Sequence, residues 1–188
     1  MAQAPESPAA ESPAPSPLDK GTVETTILGG TTLPMTLFRA HKNRHLTMGA
    51  LQLGRVLTHD RGPGPFGGNF EMLIEVAPLV VLQTPEQVLG VTASPLHFRW
   101  NFRAPARPFA AVFAEASGGI IYTNHDVPAR TTNLNFIDQA GFGVRFLRRG
   151  KRAWTAGYRF QHISNGGRVR PNTGTNFNFL YTGLTILH

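Results

Sequence analysis

Apolar and polar residues alternate one by one along much of this chain. Phe70, Met72, Ile74 and Val76 are interleaved with Glu71, Leu73 and Glu75. Leu96, Phe98, Trp100 and Phe102 are interleaved with His97, Arg99, Asn101 and Arg103. A third run carries Leu134, Phe136, Ala140, Phe142, Val144 and Phe146 against Asn135, Gln139, Gly141, Gly143 and Arg145. Period two puts each class on its own face of a β-strand, and runs of about 9–11 residues or more are long enough to cross a bilayer when tilted. The polar faces hold both signs, Glu71 and Glu75 against Arg99, Arg103, Arg145 and Arg159. A narrow lumen filled with paired charges requires such a mixture, because an unpaired buried charge is costly. Asp138 interrupts the third run on its apolar side, which leaves open whether it sits near a membrane interface or marks a bulge.

The rest of the chain agrees with strands. No run of about 18 apolar residues occurs, which excludes a membrane-spanning helix. The hydrophobic share is 41% and the mean hydropathy −0.14, as expected when greasy residues alternate with polar ones. Breaks at 84–87, 104–108 and 148–151, and longer ones at 58–69, 124–131 and 165–175, divide the chain into eight expected strands. These lie near 21–33, 45–58, 69–83, 88–103, 108–123, 131–147, 151–164 and 175–188. The fold class expected is all-β, an eight-stranded antiparallel transmembrane β-barrel of the bacterial outer membrane, closed so that no strand edge is exposed. With both termini periplasmic, the connection after strand seven is extracellular. The break at 58–69 then falls on the periplasmic side, where short turns are the rule. Residues 1–20, rich in Ala, Pro, Ser and Glu, read as a disordered tail. They show no secretory signal, yet Ala2-Gln3-Ala4 reads as the start of a mature exported chain, so a signal peptide is expected to have been removed.

The chemistry concentrates at the end of strand seven. His162 and Ser164 are i and i+2, on one strand face and roughly 6.6 Å apart along it. A base beside a hydroxyl is the arrangement of an activated serine nucleophile. Their face continues backward through Phe160, Tyr158, Ala156 and Trp154, and the opposite face reads Ile163, Gln161, Arg159, Gly157 and Thr155. In a barrel the aromatic face points at lipid, so the substrate expected is a lipid ester. Asn165, Gly166 and Gly167 follow at once, small and amide groups that read either as an ordinary turn or as oxyanion donors; Trp154, Tyr158 and Phe160 read as an acyl groove or as a plain lipid-facing girdle.

The stretch from Tyr158 to Asn178 resembles the signature of the PagL-type lipid A 3-O-deacylases. It carries His162-x-Ser164-Asn165 followed by Pro171-Asn172-x-Gly174, late in an alternating chain. The resemblance implies an eight-stranded outer-membrane barrel that hydrolyses the ester-linked acyl chain at position 3 of lipid A, with the site facing the outer leaflet. It implies His162 as general base, Ser164 as nucleophile and the Asn172 amide as an oxyanion donor beside the backbone of 165–167. The third triad position, a glutamate in the best-known form of the family, falls on Asn176, which can orient the ring but brings no charge. The faces of strand eight stay ambiguous, because Phe177, Phe179, Tyr181, Gly183, Thr185 and Leu187 are at least as greasy as Asn176, Asn178, Leu180, Thr182, Leu184 and Ile186.

Partners and cofactors are bounded by absences in the sequence. The net charge of +7 favours an anionic partner, and the scattered basic residues form no nucleic-acid motif. That leaves a phosphorylated lipid as the expected partner; the resemblance implies lipopolysaccharide as substrate within outer-membrane lipid, and a homodimer is left open. There is no cysteine, and the histidines outside the pair are too dispersed for a metal site, so no metal and no cofactor are expected. Gly62 to Gly68 lacks the lysine and helix of a phosphate-cradling loop. Two rival readings remain: a non-catalytic small barrel, structural or adhesive, and a soluble lipocalin-like lipid carrier with its aromatic faces turned inward.

Overall fold

The computed structural model describes residues 18–40, 43–83, 86–103, 110–147, 151–170 and 174–188. Asn172, the expected turn at 104–108 and most of that at 148–151 lie outside the described residues. Eight strands close into one antiparallel barrel in chain order: β1 (Val23–Thr32), β2 (His45–Val56), β3 (Gly68–Gln83), β4 (Gln87–Phe102), β5 (Ala110–Thr123), β6 (Leu134–Leu147), β7 (Arg152–Ser164) and β8 (Thr175–Leu187). β1 closes on β8 with Glu24 opposite Leu187 and Thr32 opposite Phe179. The two prolines inside strands sit at irregularities: Pro78 between Ala77 and Val80, Pro95 between Ala93 and Leu96. Proline cannot donate to the ladder, and a bulge removes the need for that bond.

Burial alternates along every strand. Ile27, Leu53, Ile74, Val91, Phe142 and Ile186 are among the large apolar side chains left on the outside. Such a surface is costly in water and suited to hydrocarbon, as expected of a barrel with its apolar band outward. The inside is filled rather than open. Arg99 bonds Glu24 at 2.9 Å and Glu115 at 3.2 Å. Arg145 reaches Glu24 at 2.7 Å. Arg159 bonds Glu75 at 2.8 Å and Glu115 at 2.7 Å. Tyr181 donates to Glu115 at 2.6 Å and lies under the Arg159 guanidinium, 4.5 Å from ring centre to Cζ. Gly157 makes this possible, since a Cβ there would come within 2.5 Å of the Tyr181 ring. Toward the end where β7 stops, the lumen turns apolar: Leu46, Leu82, Ile121, Ile137, Ile163, Phe177 and Phe179 are all fully buried.

Two details depart from the sequence reading, and a third decides an alternative it left open. Arg103 does not join the lumen; it follows β4 at the opposite end of the barrel and pairs with Asp60 at 2.6 Å, both exposed. The connection 57–67 beside it folds back on itself, with Gly64–Phe66 as a 3-10 turn and reciprocal backbone bonds between Arg61 and Gly68. Leu18, assigned to the tail, is buried against Ala111 and Leu187 at that end. Asp138 marks no bulge. It pairs regularly with His162 across β6 and β7 and stays on the outward face.

Candidate active site

β7 carries His162 and Ser164 to its last turn of pleat, both half-buried and both on the outward face, while Gln161 and Ile163 point into the lumen. β8 meets it in register, so that Asn176 lies opposite His162 and Asn178 opposite Phe160. Asn176, Asn178, Leu180 and Leu184 face outward, and Phe177, Phe179 and Tyr181 face inward. The face left open by the sequence is decided by the apolar plug at this end of the lumen, which takes the phenylalanines.

The register brings one short contact. Asn176 Oδ1 lies 2.6 Å from His162 Nδ1. The asparagine amide is held from its other end, where Nδ2 donates to the Phe38 carbonyl at 2.9 Å. On the other flank of the ring, Asp138 is the cross-strand neighbour from β6. Among the described residues no hydrogen bond joins Ser164 Oγ to His162. Bonds of this kind commonly tighten only when substrate is seated.

Beyond β7, Gly174 comes up against the ring. Gly174 has φ +55, and a Cβ there would stand 2.7 Å from His162 Cε1. Both the conformation and the space require glycine, because L side chains rarely adopt this φ and the imidazole already fills the position. Asn165 is buried and builds the turn itself: its Nδ2 donates to Val169 O at 2.9 Å and its Oδ1 accepts from Gly167 N at 2.8 Å. The Gly167 N–H is thereby committed to the turn and not directed at Ser164. Gly166 has φ +64 and no such bond among the described residues. Arg168 pins the turn to β6 by donating to Leu134 O at 2.6 Å and covers the ring of Phe136, which pairs with Ser164.

The aromatic residues expected to line an acyl groove separate. Phe160 lies four residues from Ser164, about 13 Å along the strand, with the Phe38 ring edge-on at 5.4 Å. Tyr158 lies next, donating to Asn178 Oδ1 at 2.6 Å and contacting Phe142 at 5.5 Å. Trp154 is about 33 Å along the strand from Ser164, exposed between Phe146 and Leu184 at the far rim. It belongs to the girdle of that rim and not to the site. The site lies on the outer wall of the barrel. A cleft of about 440 Å³ at the same end, lined by Glu86, His125, Asp126 and Arg130, contains none of these residues.

Phe38 is the residue that sequence reasoning missed. It is a bulky side chain at φ 54, ψ 38, a left-handed conformation costing roughly 1–2 kcal/mol in a non-glycine residue. Nothing in the local sequence announces it, because its partners are on β7 and β8.

The profile of the family described as lipid A 3-O-deacylase (PagL) matches residues 42–185. Among solved structures, the crystal structure of the outer membrane enzyme PagL superposes with a TM-score of 0.59 at 17% identity, covering 85% of this chain and 97% of that one. The solid-state NMR structure of the outer membrane protein AlkL aligns over 98% of this chain and 97% of its own, with a TM-score of 0.44 and 11% identity. No curated protein sequence matches. With an eight-stranded closed barrel and a family match over three-quarters of its length, this chain belongs to the PagL family of outer-membrane lipid A 3-O-deacylases.

Proposed function

We propose that the chain removes the 3-O-linked acyl group of lipid A as a serine esterase, working from the outer wall of the barrel with the β7 terminus in the outer leaflet. The observation that carries this reading is the Asn176–His162 contact of 2.6 Å on the lipid-facing side, with Ser164 on the same face two residues on. An acceptor at Nδ1 leaves the Nε2 lone pair for a proton, as a general base requires.

His162 Nε2 takes the Ser164 Oγ proton as Oγ attacks the ester carbonyl carbon. The tetrahedral intermediate carries its charge on the former carbonyl oxygen. Gly166 N–H is the turn donor left for it, and the Asn172 amide is assigned to it by the resemblance. One such donor contributes about 2.7–4 kcal/mol where measured. Collapse expels the sugar 3-oxygen, which takes the proton from the imidazolium. Water then attacks the acyl-enzyme, passes a proton to His162 and releases the fatty acid, and Ser164 Oγ recovers its proton. Phe160 and Phe38 offer apolar contact for the acyl chain nearest the nucleophile, with Tyr158 further along. Asn176 is neutral, so the imidazolium is oriented here without a carboxylate partner.

Ser164→Ala and His162→Asn proteins, refolded in detergent, are expected to keep heat-modifiable gel migration and to leave lipid A unchanged by mass spectrometry. Parent-rate release of 3-hydroxy fatty acid by either would end the serine–histidine reading. No release by the parent itself over days would favour a non-catalytic barrel.

A further inference from the structure

We propose that segment 33–40 is a positioning clasp for this site, and that the main-chain carbonyl of Phe38 decides which end of the Asn176 amide meets His162. The inference rests on the serine–histidine reading above and concerns how an asparagine can serve where a carboxylate is usual.

An amide is two-faced. Its oxygen accepts, its nitrogen donates, and a half-turn about χ2 exchanges them at little steric cost. With Oδ1 toward the ring, Nδ1 must carry the proton and Nε2 is free to act as base. With Nδ2 toward the ring, Nδ1 becomes the acceptor, the proton moves to Nε2, and the base is lost. A carboxylate has no such alternative. Something must therefore hold the Asn176 amide one way round.

The Phe38 carbonyl does so. It lies 2.9 Å from Asn176 Nδ2, on the side away from the imidazole. A carbonyl has no proton to give, so only the nitrogen can face it with profit, and the oxygen is left for His162 Nδ1 at 2.6 Å. Asn178, two residues on and on the same outward face, repeats the pattern. Its Oδ1 accepts from Tyr158 Oη at 2.6 Å, and its Nδ2 donates to Leu37 O at 3.0 Å and Met35 O at 3.3 Å. Each asparagine thus bridges one β7 side chain to the backbone of the clasp. Leu33 N donates to Asn178 O at 2.8 Å, Arg44 donates to Thr175 Oγ1 at 2.8 Å, and the Phe38 ring packs on Phe160. The left-handed Phe38 backbone, φ 54, is what turns its carbonyl toward β8. A carboxylate at 176 would set an oxygen against that carbonyl, lone pair to lone pair. The asparagine and the clasp form one device, and restoring an acid at 176 without releasing the clasp is expected to harm the site.

The test uses the full barrel in detergent micelles with purified lipid A as substrate, and ¹⁵N-histidine labelling to read the His162 tautomer; the resonance lost in H162N identifies it. The parent is expected to show the Nδ1–H form. F38G, which keeps the left-handed conformation and loses only the ring, should show the same form with its loss mainly in KM. F38P cannot adopt φ near +54, so its carbonyl must move; an Nε2–H population should appear and kcat fall about tenfold or more. N178A, which frees the clasp without touching Phe38, should shift the tautomer partway, and serves if F38P fails to fold by gel migration. N176D should lose about tenfold or more in kcat, and N176D/F38P should recover above both single variants. An unchanged tautomer in F38P and N178A, an N176D protein faster than the parent, or simply additive losses in the double variant would overturn the clasp. S164A separates the two claims: if it matches the parent in fatty-acid release, the esterase reading fails, whereas the tautomer readings still test the clasp on their own.

Discussion

Ser164, His162 and Asn176 lie together on an otherwise largely apolar outer face, and His162 and Asn176 are each held by neighbours with little freedom. Gly174 is the tightest of these. An added methyl would meet the imidazole at Cε1 and would strain a backbone at φ +55. With His162 as the proposed base, a Gly174→Ala protein is therefore expected to lose about 10²-fold in kcat, the cost typical of displacing such a group by around 1 Å. The same protein should show parent-like gel migration, because residue 174 lies outside the strands. A parent-like rate would mean that the imidazole can move without consequence. That His162 and Ser164 share a strand face was legible from their spacing. Gly174 was legible only as part of a motif, and the reason for it needed the ring beside it. Asn165 was expected to contribute through the backbone of its turn, and its side chain builds that turn, Nδ2 donating to Val169 O and Oδ1 accepting from Gly167 N.

At the level of strands, β7 and β8 divide the labour. β7 carries the proposed base and nucleophile, His162 and Ser164, on its outward face and Arg159 and Gln161 on its inward one. β8 supplies Asn176 and Asn178 outward and a column of rings inward. Phe179 is fully buried and stacks with Tyr181 at 6.3 Å. Phe179→Ala is expected to destabilise the barrel by about 3–5 kcal/mol, the range for emptying a buried aromatic site. Urea unfolding from phospholipid vesicles followed by tryptophan fluorescence measures it. A change within error would place that ring outside the packed lumen. The strand limits read from alternation agree with the observed ones to within about three residues, because the pattern is local. The face of β8 was not readable in that way. Both of its faces are apolar, one toward hydrocarbon and one toward an apolar plug.

The barrel as a whole is held by a packed lumen in which the carboxylates of Glu24, Glu71, Glu75 and Glu115 meet the guanidinium groups of Arg99, Arg145 and Arg159. Removing one member strands its partners in a buried site. Arg159→Ala leaves Glu75 and Glu115 short of a cation and is expected to cost about 3–5 kcal/mol. Arg103→Ala breaks an exposed pair with Asp60 and should leave the urea midpoint where it is. Equal shifts for the two variants would show that the lumen is hydrated and screened. The mixed charges on the polar faces announced such an interior, and they also drew Arg103 into it wrongly. A charge at the end of an alternating run reads like one in its middle until the strand's last residue is known.

Alternation alone carries the strands and the shared face of His162 and Ser164, because the period-two pleat of a strand depends only on neighbouring residues. The side taken by β8, the partner of the Asn176 amide and the left-handed turn at Phe38 depend on groups far apart in the chain. Asn176 and Phe38 are 138 residues apart, and only closure of β1 onto β8 brings them within a hydrogen bond. Periodicity says which residues share a face. It takes the packed lumen to say which face looks inward, and the closed barrel to say what waits on the outside.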